Sequence, residues 1–316
     1  MTKLKIAICT TVLFISTFAP IANAAFNDIE IGARPLGFGG AFVALADDGS
    51  AASYNAAGLG YIDDIQVNLT RVQRFRGLIT YNYIGAVLPL GAVGTLGTSF
   101  GSLGEGSGVY REQTLRLSYA KGFSTFAFGV SATSLGTRFD QDNESVNTNP
   151  YFANTSASAF SLGLGAIVKP VNELRLGFSA DNLIPADVSI SESEADNVPV
   201  NIRFGLAYSL EAIAETTQQE SLREVLKSGV GLIEIRVRDG NRHIHAGAEV
   251  FLNKIFGVRA GYALASGVNS VTTIALGASI KIPIATVAPQ LDYGFQILSG
   301  GFKDNTTQQL SLNFFF

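Results

Sequence analysis

The sequence predicts an all-β protein: a transmembrane antiparallel β-barrel of about 14 strands with a short N-terminal plug segment. Charged residues make up only 15% of the chain and hydrophobic residues 47%, whereas soluble domains carry about a quarter charged residues. After Ala25, no apolar run approaches the ~18 to 20 residues of a membrane helix. Instead, segments of about ten residues alternate apolar with small or polar residues, which is the period of a half-buried strand.

The first residues of the chain are typical of an export signal. Lys3 and Lys5 precede an apolar stretch, and Ala22-Asn23-Ala24 supplies small residues for cleavage before Ala25. Residues 1–24 are therefore assigned to a signal peptide and excluded from the fold. An uncleaved N-terminal anchor is the alternative, which the short apolar core and the small-residue ending disfavour.

The cysteine content and net charge of the mature chain exclude several classes of function. Cys9 is the only cysteine, and it lies in the predicted signal, so the mature chain has no thiol for a disulfide, a metal site or a nucleophile. Without Lys3 and Lys5, the basic residues fall from 22 to 20 against 26 acidic ones, a net charge of −6. This balance argues against nucleic acid as a partner.

Residues 25–62 are assigned to the plug segment, and residues 63–316 to the barrel. The predicted strands are each near the ~9 to 11 residues that cross a bilayer at a tilt. The segments lie near positions 65, 79, 92, 112, 124, 158, 172, 199, 229, 242, 255, 270, 287 and 306. Because the number is even, both ends of the barrel domain are expected on the periplasmic side.

Arginines within these strands fall in the polar phase of the alternation. An Arg or Lys that faces the middle of a bilayer costs about 2 to 4 kcal/mol, so the apolar phase is expected to face lipid. The arginines concerned are Arg116, Arg175, Arg203, Arg236 and Arg259. A soluble sandwich of two sheets would show the same alternation. However, Gly, Ser, Thr and Ala dominate the polar phase here, which favours an enclosed lumen.

The polarity of each connection and its position in the strand order predict which side of the membrane the connection occupies. With the first strand running outward, the long polar connections 137–157 and 184–198 are extracellular, and the shorter turns are periplasmic. Residues 211–226 have the pattern of a short amphipathic helix and fall on the periplasmic side.

One hairpin brings ionisable residues together. An Asp239-Gly240 turn places Glu234 opposite His245 and Arg236 opposite His243, all pointing inward. We name as the lumen polar cluster Glu234, Arg236, Arg238, His243, His245 and Glu249. A metal or proton-linked site is one interpretation, but His-x-His with a carboxylate is a weak pattern. A salt-bridged lumen lining is favoured, so neither a metal nor a cofactor is expected.

Residues Arg34 to Gly60 read RPLGFGGAFVALADDGSAASYNAAGLG. This stretch resembles the N-terminal signature of the FadL-type outer-membrane transporter superfamily, and most closely its PorV/PorQ-like branch. We name as the plug motif Gly39, Gly40, Ala41, Phe42, Asp47, Asp48, Tyr54, Asn55, Gly58 and Leu59; Ala44 and Ala57 also match. Ala56 stands where the family usually has Pro, which makes the local turn less rigid.

The resemblance implies a barrel of 14 strands whose N-terminal segment folds inside. Inward glycines would leave room for that segment, or would allow tight curvature of the wall. They are Gly163, Gly165, Gly177, Gly205, Gly257, Gly277 and Gly294. Asp47 and Asp48 are interpreted as helix caps in preference to ligand contacts.

The C-terminal strand alternates apolar residues and ends on an aromatic one. Leu312, Phe314 and Phe316, preceded by Leu310 in the same phase, resemble the signal that the barrel-assembly machinery recognises. The expected location is therefore the cell outer membrane, with several strand passes, and the expected partners are outer-membrane lipid and that machinery.

The resemblance implies transport across the outer membrane. PorV-like barrels serve type IX secretion by receiving exported proteins, and the closer motif match favours this protein-cargo role. The alternative is an uptake channel for hydrophobic small molecules such as long-chain fatty acids, and the second alternative is a structural barrel without transport. No Ser near the histidines belongs to a catalytic motif, so the chain is not expected to be an enzyme.

Overall fold

A computed structural model describes most of the chain after Phe26. The described residues are 26, 29–148, 154–191, 195–266, 271–282, 287–299 and 306–316. The predicted signal peptide, residues 1–24, lies outside the described residues. Parts of the two long predicted connections, residues 149–153 and 192–194, also lie outside them.

The strands alternate with short connections along the chain. In chain order they are β1 (Gln66–Arg74), β2 (Ile79–Pro89), β3 (Thr95–Glu105), β4 (Tyr110–Gly122), β5 (Phe126–Phe139), β6 (Ser156–Val171), β7 (Leu174–Asp181), β8 (Ala186–Asp187), β9 (Asn197–Val198), β10 (Asn201–Ser209), β11 (Val230–Arg238), β12 (Asn241–Leu252), β13 (Phe256–Ser266), β14 (Val271–Lys281), β15 (Gln290–Ser299) and β16 (Thr306–Phe315). In the described part of the chain, the α-helices are α1 (Ala33–Gly37), α2 (Glu144–Asn147), α3 (Glu211–Thr216) and α4 (Glu220–Leu226).

Fourteen of these strands form one closed antiparallel barrel. Strand β1 pairs with both β2 and β16, which closes the sheet. Strand β7 pairs with β10, because β8 and β9 form a separate two-stranded ribbon between them. The predicted fold class, antiparallel pairing and strand number are confirmed.

We call the rim where β1 begins and β16 ends the terminal end, and the opposite rim the distal end. The ribbon of β8 and β9 lies at the distal end, where Val188 and Val198 pack with Leu135 and Phe26. Helices α3 and α4 lie at the terminal end, in the connection between β10 and β11. Among the described residues, no helix is long and apolar enough to cross a membrane.

The region expected to form one amphipathic helix, residues 211–226, forms two. Thr217 is extended (φ −83°, ψ 125°) and ends α3. Its carbonyl oxygen accepts hydrogen bonds from Nε and Nη2 of Arg223, at 3.1 and 2.8 Å. The guanidinium group thus satisfies a carbonyl that a continuous helix would have used internally, and the expectation of a single helix was wrong.

The two faces of the barrel wall differ in chemistry as the alternation predicts. Leu115 and Leu117 point outward, with 48% and 59% of their surface exposed, whereas Arg203 and Arg259 point inward and are 2% and 4% exposed. Arg116, Arg175 and Arg236, the other three arginines of the predicted polar phase, also contact residues inside the barrel. Four further arginines point outward from the distal halves of their strands: Arg71, Arg111, Arg138 and Arg242.

The predicted assembly signal lies at the terminal end of β16. Leu312 and Phe314 occupy the outward phase of the strand, which pairs with both β1 and β15. Phe316 is 57% exposed, and its backbone N–H donates to the carbonyl of Ile65 at 3.0 Å. The aromatic end of the chain is therefore presented on the outer surface, beside the closing strand pair.

Candidate functional site

The segment before the first strand runs inside the barrel. Residues 33–59 are nearly all buried, although the segment is too short for a core of its own. Its apolar side chains, including Phe42 and Leu59, join wall residues such as Ile167 and Leu232 in one hydrophobic cluster. Full burial of each large side chain contributes about 1.5 to 3 kcal/mol, so this packing holds the segment in the terminal half of the lumen.

Five of the seven inward glycines make room for this segment. A side chain at Gly177 would place its Cβ 2.5 Å from Cα of Ala44, and one at Gly294 would lie 2.7 Å from the carbonyl of Ala33. Gly165, Gly205 and Gly277 likewise face the segment. Gly163 and Gly257 instead lie against side chains of the wall.

Glycines of the plug motif turn the segment tightly after α1. Gly39 and Gly40 have φ values of +67° and +92°, which side chains with a Cβ disfavour. A Cβ at Gly39 would also lie 2.8 Å from the backbone nitrogen of Tyr262 on β13. The Gly39-Gly40 pair is therefore required both by the backbone conformation and by the close approach of the segment to the wall.

Glu234 anchors the segment to β11. One carboxylate oxygen accepts the backbone N–H groups of Phe42 and Val43, at 2.8 and 2.9 Å. The other accepts Nη1 of Arg203 at 3.0 Å. Glu234 is 1% exposed, so these three donors replace the water that a buried carboxylate would otherwise need.

A second anchor centres on Arg34. Its guanidinium group lies 2.5 Å from Asp47, 3.1 Å from Asp48 and 2.8 Å from Glu249. Burial on its own would lower the pKa of Arg34, but the neighbouring carboxylates of Asp47, Glu249 and Asp48 raise the pKa above its ordinary value. Arg34 therefore stays charged and joins the segment to β12.

The network around Arg34 continues into the wall. Arg259 on β13 binds Glu249 on β12 and, at 2.9 Å, Asp292 on β15. Arg259 and Asp292 are both fully buried at the side chain. Three wall strands and the segment are thus joined by one buried ionic network in the terminal half of the lumen.

The histidine part of the lumen polar cluster also contacts the segment. His245 donates from Nδ1 to the carbonyl of Gly39 at 2.6 Å. Arg236 lies 3.0 Å from Glu30 and 3.4 Å from Nδ1 of His243. Arg238 donates to the carbonyl of Phe26. The cluster and the plug motif, which the sequence suggested separately, are two sides of one interface.

The remaining motif residues shape the segment itself. Asn55 accepts the N–H of Ala57 at 3.1 Å and donates to the carbonyls of Val43 and Ala166, at 2.8 and 3.2 Å. Asp48 accepts the N–H of Ser50 at 2.9 Å, but Ser50 occupies the N-cap position of the following 3₁₀ turn, which has no side-chain cap. The interpretation of Asp47 and Asp48 as helix caps was wrong, because both carboxylates instead pair with Arg34. The Tyr54 ring lies 5.3 Å from that of Phe42, and Arg203 lies over it at 5.0 Å. Ala41 is also buried.

Among the described residues, Ile29 lines two cavities in the distal half of the lumen. The smaller, about 110 Å³, has a mixed wall: aromatic and apolar residues such as Phe26, Tyr81 and Leu135 line it together with the charged residues Glu112, Arg116, Asp181, Arg203 and Arg238. The larger, about 260 Å³, is lined by Arg74, Arg236, His243 and His245 on one side and by apolar residues such as Val271 and Leu298 on another.

Sequence reasoning missed half of the charged partners. Arg34 opened the quoted motif, and Arg203 and Arg259 were assigned to the inward phase, but none was assigned to the site. Asp292, the partner of Arg259, and Glu30, the partner of Arg236, were also not identified. The partner of Arg259 could have been found from its need for a counter-charge. An inward arginine in a low-dielectric lumen requires a carboxylate within reach, and Asp292 lies in the inward phase of its strand.

The described residues contain no group of three His, Cys, Asp or Glu side chains placed to hold a metal ion. His243 and His245 lie opposite Arg236 and Glu234, as the hairpin register predicts. The imidazole rings are 6.1 Å apart, centre to centre, and their contacts with Arg236 and Gly39 are those of a docking interface.

No family model matches this sequence, and no curated protein matches it. Solved structures match it in fold. The toluene transporter TbuX of Ralstonia pickettii aligns with a TM-score of 0.59 at 13% identity, over 90% of this chain and 97% of that one. The toluene transporter TodX of Pseudomonas putida gives 0.57 at 12%, over 92% and 98%.

A FadL homologue of Pseudomonas aeruginosa gives a TM-score of 0.55 at 11% identity, over 94% of this chain and 99% of that chain. The likeness therefore extends over nearly the full length of both chains. At this level of identity it establishes that the fold is that of FadL-type outer-membrane transporters. It does not distinguish a PorV/PorQ-like branch.

Proposed function

We propose that this protein is an outer-membrane channel for small hydrophobic molecules, held closed by its N-terminal segment. The observation that carries the proposal is the full-length likeness in fold to transporters named for toluene. The apolar outer face and the buried ionic interior suit a barrel in a bilayer. Uptake of hydrophobic small molecules is also the alternative that the motif resemblance implies.

The smaller distal cavity supports a cargo with a single ring. Its walls combine Phe26, Ile29, Ile31 and Leu135 with the rings of Tyr81 and Tyr83. The smaller cavity, about 110 Å³, is close in volume to the cavity of about 150 Å³ that accommodates benzene, but it also carries charged side chains, among them Glu112 and Arg116. Aromatic walls add favourable edge and stacking contacts. A molecule that enters from the distal end would therefore find a ring-sized site above the segment.

Passage to the terminal end requires the segment to move. Residues 33–59 fill the terminal half of the lumen, and Glu234 and Glu249 hold them through buried contacts. In this conformation the barrel binds its cargo without conducting it. A channel cycle would break these contacts and re-form them.

Filling the smaller cavity tests the cargo assignment. Ser99 lines that cavity and is 7% exposed, whereas its neighbour Thr98 points outward. Cells that carry the Ser99→Phe variant should take up radiolabelled toluene several-fold more slowly than cells with the unaltered protein. Thr98→Phe adds the same ring on the lipid side and should leave uptake unchanged. Equal uptake by both variants would contradict the assignment.

Type IX secretion is the competing function, and the plug motif between Arg34 and Gly60 favours it. It makes a different prediction: deletion of the gene should leave proteins with C-terminal sorting domains in the periplasm. Unchanged secretion with impaired toluene uptake would support the channel. Loss of neither activity would leave only a structural barrel.

A further inference from the structure

Within the described strands, the charged residues on the outer face of the barrel are all of one sign. In the described strands, the outward residues include the cations Arg71, Arg111, Lys121, Arg138 and Arg242 and no carboxylate. The buried strand carboxylates instead point to the lumen: Glu112, Asp181, Glu234, Glu249 and Asp292. The four arginines all lie in the distal halves of their strands, so this half of the outer face is positively charged.

Two of these arginines face each other directly. Arg111 on β4 is paired in register with Arg138 on β5, and both side chains are exposed. Directly opposite residues on one face of a sheet have Cβ atoms about 4.5 to 5.5 Å apart, and like charges there are unfavourable. Neither guanidinium group has a carboxylate or other hydrogen-bond partner among the described residues. A shared anion would remove this repulsion.

The surroundings of the pair leave room for a bulky group. On β3, Gly104 lies opposite Arg111, and on β6, Ser156 lies opposite Arg138. Nothing lies within 4 Å of a Cβ built at Gly104. Small residues therefore flank the two guanidinium groups on both sides.

An apolar stripe begins on the same two strands, toward the terminal end. Leu115 and Leu117 on β4 and Val130 on β5 are 48%, 59% and 52% exposed on the outer face. A molecule with an anionic head and hydrocarbon tails would match both parts of this surface. A free inorganic anion would use only the arginines.

We propose that Arg111 and Arg138 together bind the phosphate group of a lipid headgroup, with the acyl chains along the apolar stripe below. Guanidinium groups bind phosphate oxygens through paired N–H donors, which fixes orientation as well as charge. The inference rests on the proposed membrane location, since only there is the outer face in contact with lipid.

Native mass spectrometry of the purified barrel in detergent tests this inference. The probes are dioleoyl phosphatidic acid and dioleoyl phosphatidylcholine, added separately at equal concentration. The unaltered protein should retain the phosphatidic acid in preference. The double variant Arg111→Gln, Arg138→Gln should bind it about thirtyfold more weakly, since each cation near an anionic lipid contributes about a factor of five. Arg111→Lys with Arg138→Lys should give an intermediate affinity.

A charge-matched control is available at the opposite end of the barrel. Arg223→Gln with Lys227→Gln removes two cations from α4 and its end, away from the lipid face, and should retain phosphatidic acid as the unaltered protein does. Mobility on gels before and after heating verifies that each variant is folded. Equal retention by the Arg111, Arg138 double variant would overturn the inference, and so would displacement of the lipid by millimolar inorganic phosphate.

The result is separable from the uptake assay. A barrel that takes up toluene but does not prefer phosphatidic acid would overturn only the lipid site. A barrel that prefers phosphatidic acid but takes up no toluene would overturn only the proposed cargo.

Discussion

At the scale of single residues, Glu234 illustrates how a buried charge can hold two parts of a chain together. Its carboxylate joins β10 to β11 through Arg203, and joins both to the segment through the N–H groups of Phe42 and Val43. Because the donors are buried with it, removing the carboxylate leaves the two backbone N–H groups without this acceptor and the Arg203 guanidinium without this counter-charge.

Glu234→Ala should therefore loosen the N-terminal segment. Removing one partner of a buried ion pair costs about 3 to 5 kcal/mol, and we expect residues 29–62 to become accessible to protease in the folded barrel. The control is Glu224→Ala, whose carboxylate is 61% exposed in its pair with Lys227 and which should change nothing measurable. Identical protease patterns for the two variants would show that Glu234 is not an anchor.

Gly58, in the plug motif, is packed too closely to carry a side chain. A Cβ at Gly58 would overlap the carbonyl oxygen and Cβ of Ala46, both within the buried segment. Gly58→Ala should lower the melting temperature of the barrel in detergent, because overpacking of this kind costs about 1 to 3 kcal/mol. Gly231→Ala has open space around its Cβ and should melt as the unaltered protein does.

Sequence alone identified the residues of the motif but not their partners. The spacing of Gly39, Gly40 and Asn55 marks a tightly turned segment, since glycines and Asn have specific uses in turns. Nothing in the sequence joins Arg34 to Glu249, which is 215 positions away. Such a pairing depends on which part of the wall the segment meets, and strand alternation specifies only the face of the wall, not the height along it.

At the scale of secondary structure elements, a period of two was sufficient to predict the barrel strands. The hairpin of β11 and β12 was also predicted in register, because Asp239 and Gly240 adopt φ values of 50° and 70°, as a two-residue turn of this type requires. The ribbon of β8 and β9 was not predicted. Its strands have two residues each, too few to show a period.

The contact between the segment and β10 allows the segment to be locked in place. A Cβ built at Gly205 lies 3.6 Å from Cβ of Ala44, within the ~3.5 to 4.5 Å typical of a disulfide. Ala44→Cys with Gly205→Cys should therefore cross-link, and the oxidised barrel should lose toluene uptake if the segment must move. Addition of a reductant should restore uptake.

The control for this lock is the single variant Gly205→Cys, which carries the same added side chain against Val43 but forms no cross-link. Cys9 lies in the predicted signal peptide, so the mature chain contributes no other thiol. Uptake that persists in the fully oxidised double variant would mean that cargo crosses the barrel without displacement of this part of the segment.

At the scale of the whole molecule, the two ends of the barrel differ in construction. The buried segment closes the terminal half of the lumen, whereas the two cavities lie in the distal half. Helices α3 and α4 lie at the terminal end and the ribbon of β8 and β9 at the distal end. A channel that admits molecules from the environment would present the distal end to the outside, because the cavities lie on that side of the segment.

This orientation predicts which epitopes are accessible on intact cells. A peptide tag inserted after Asn147, in α2 at the distal end, should be bound by antibody on intact cells. A tag after Gln218, between α3 and α4, should be bound only once the outer membrane is permeabilised. Both sites are exposed and outside the barrel strands, so both tags should leave the barrel folded.

A second pair of tags, at Gly108 in the β3–β4 turn and Lys254 in the β12–β13 turn, repeats the comparison in short connections. If the Gln218 and Lys254 tags were bound on intact cells and the others were not, the terminal end would face outward, and the N-terminal segment would close the barrel from the side where cargo arrives.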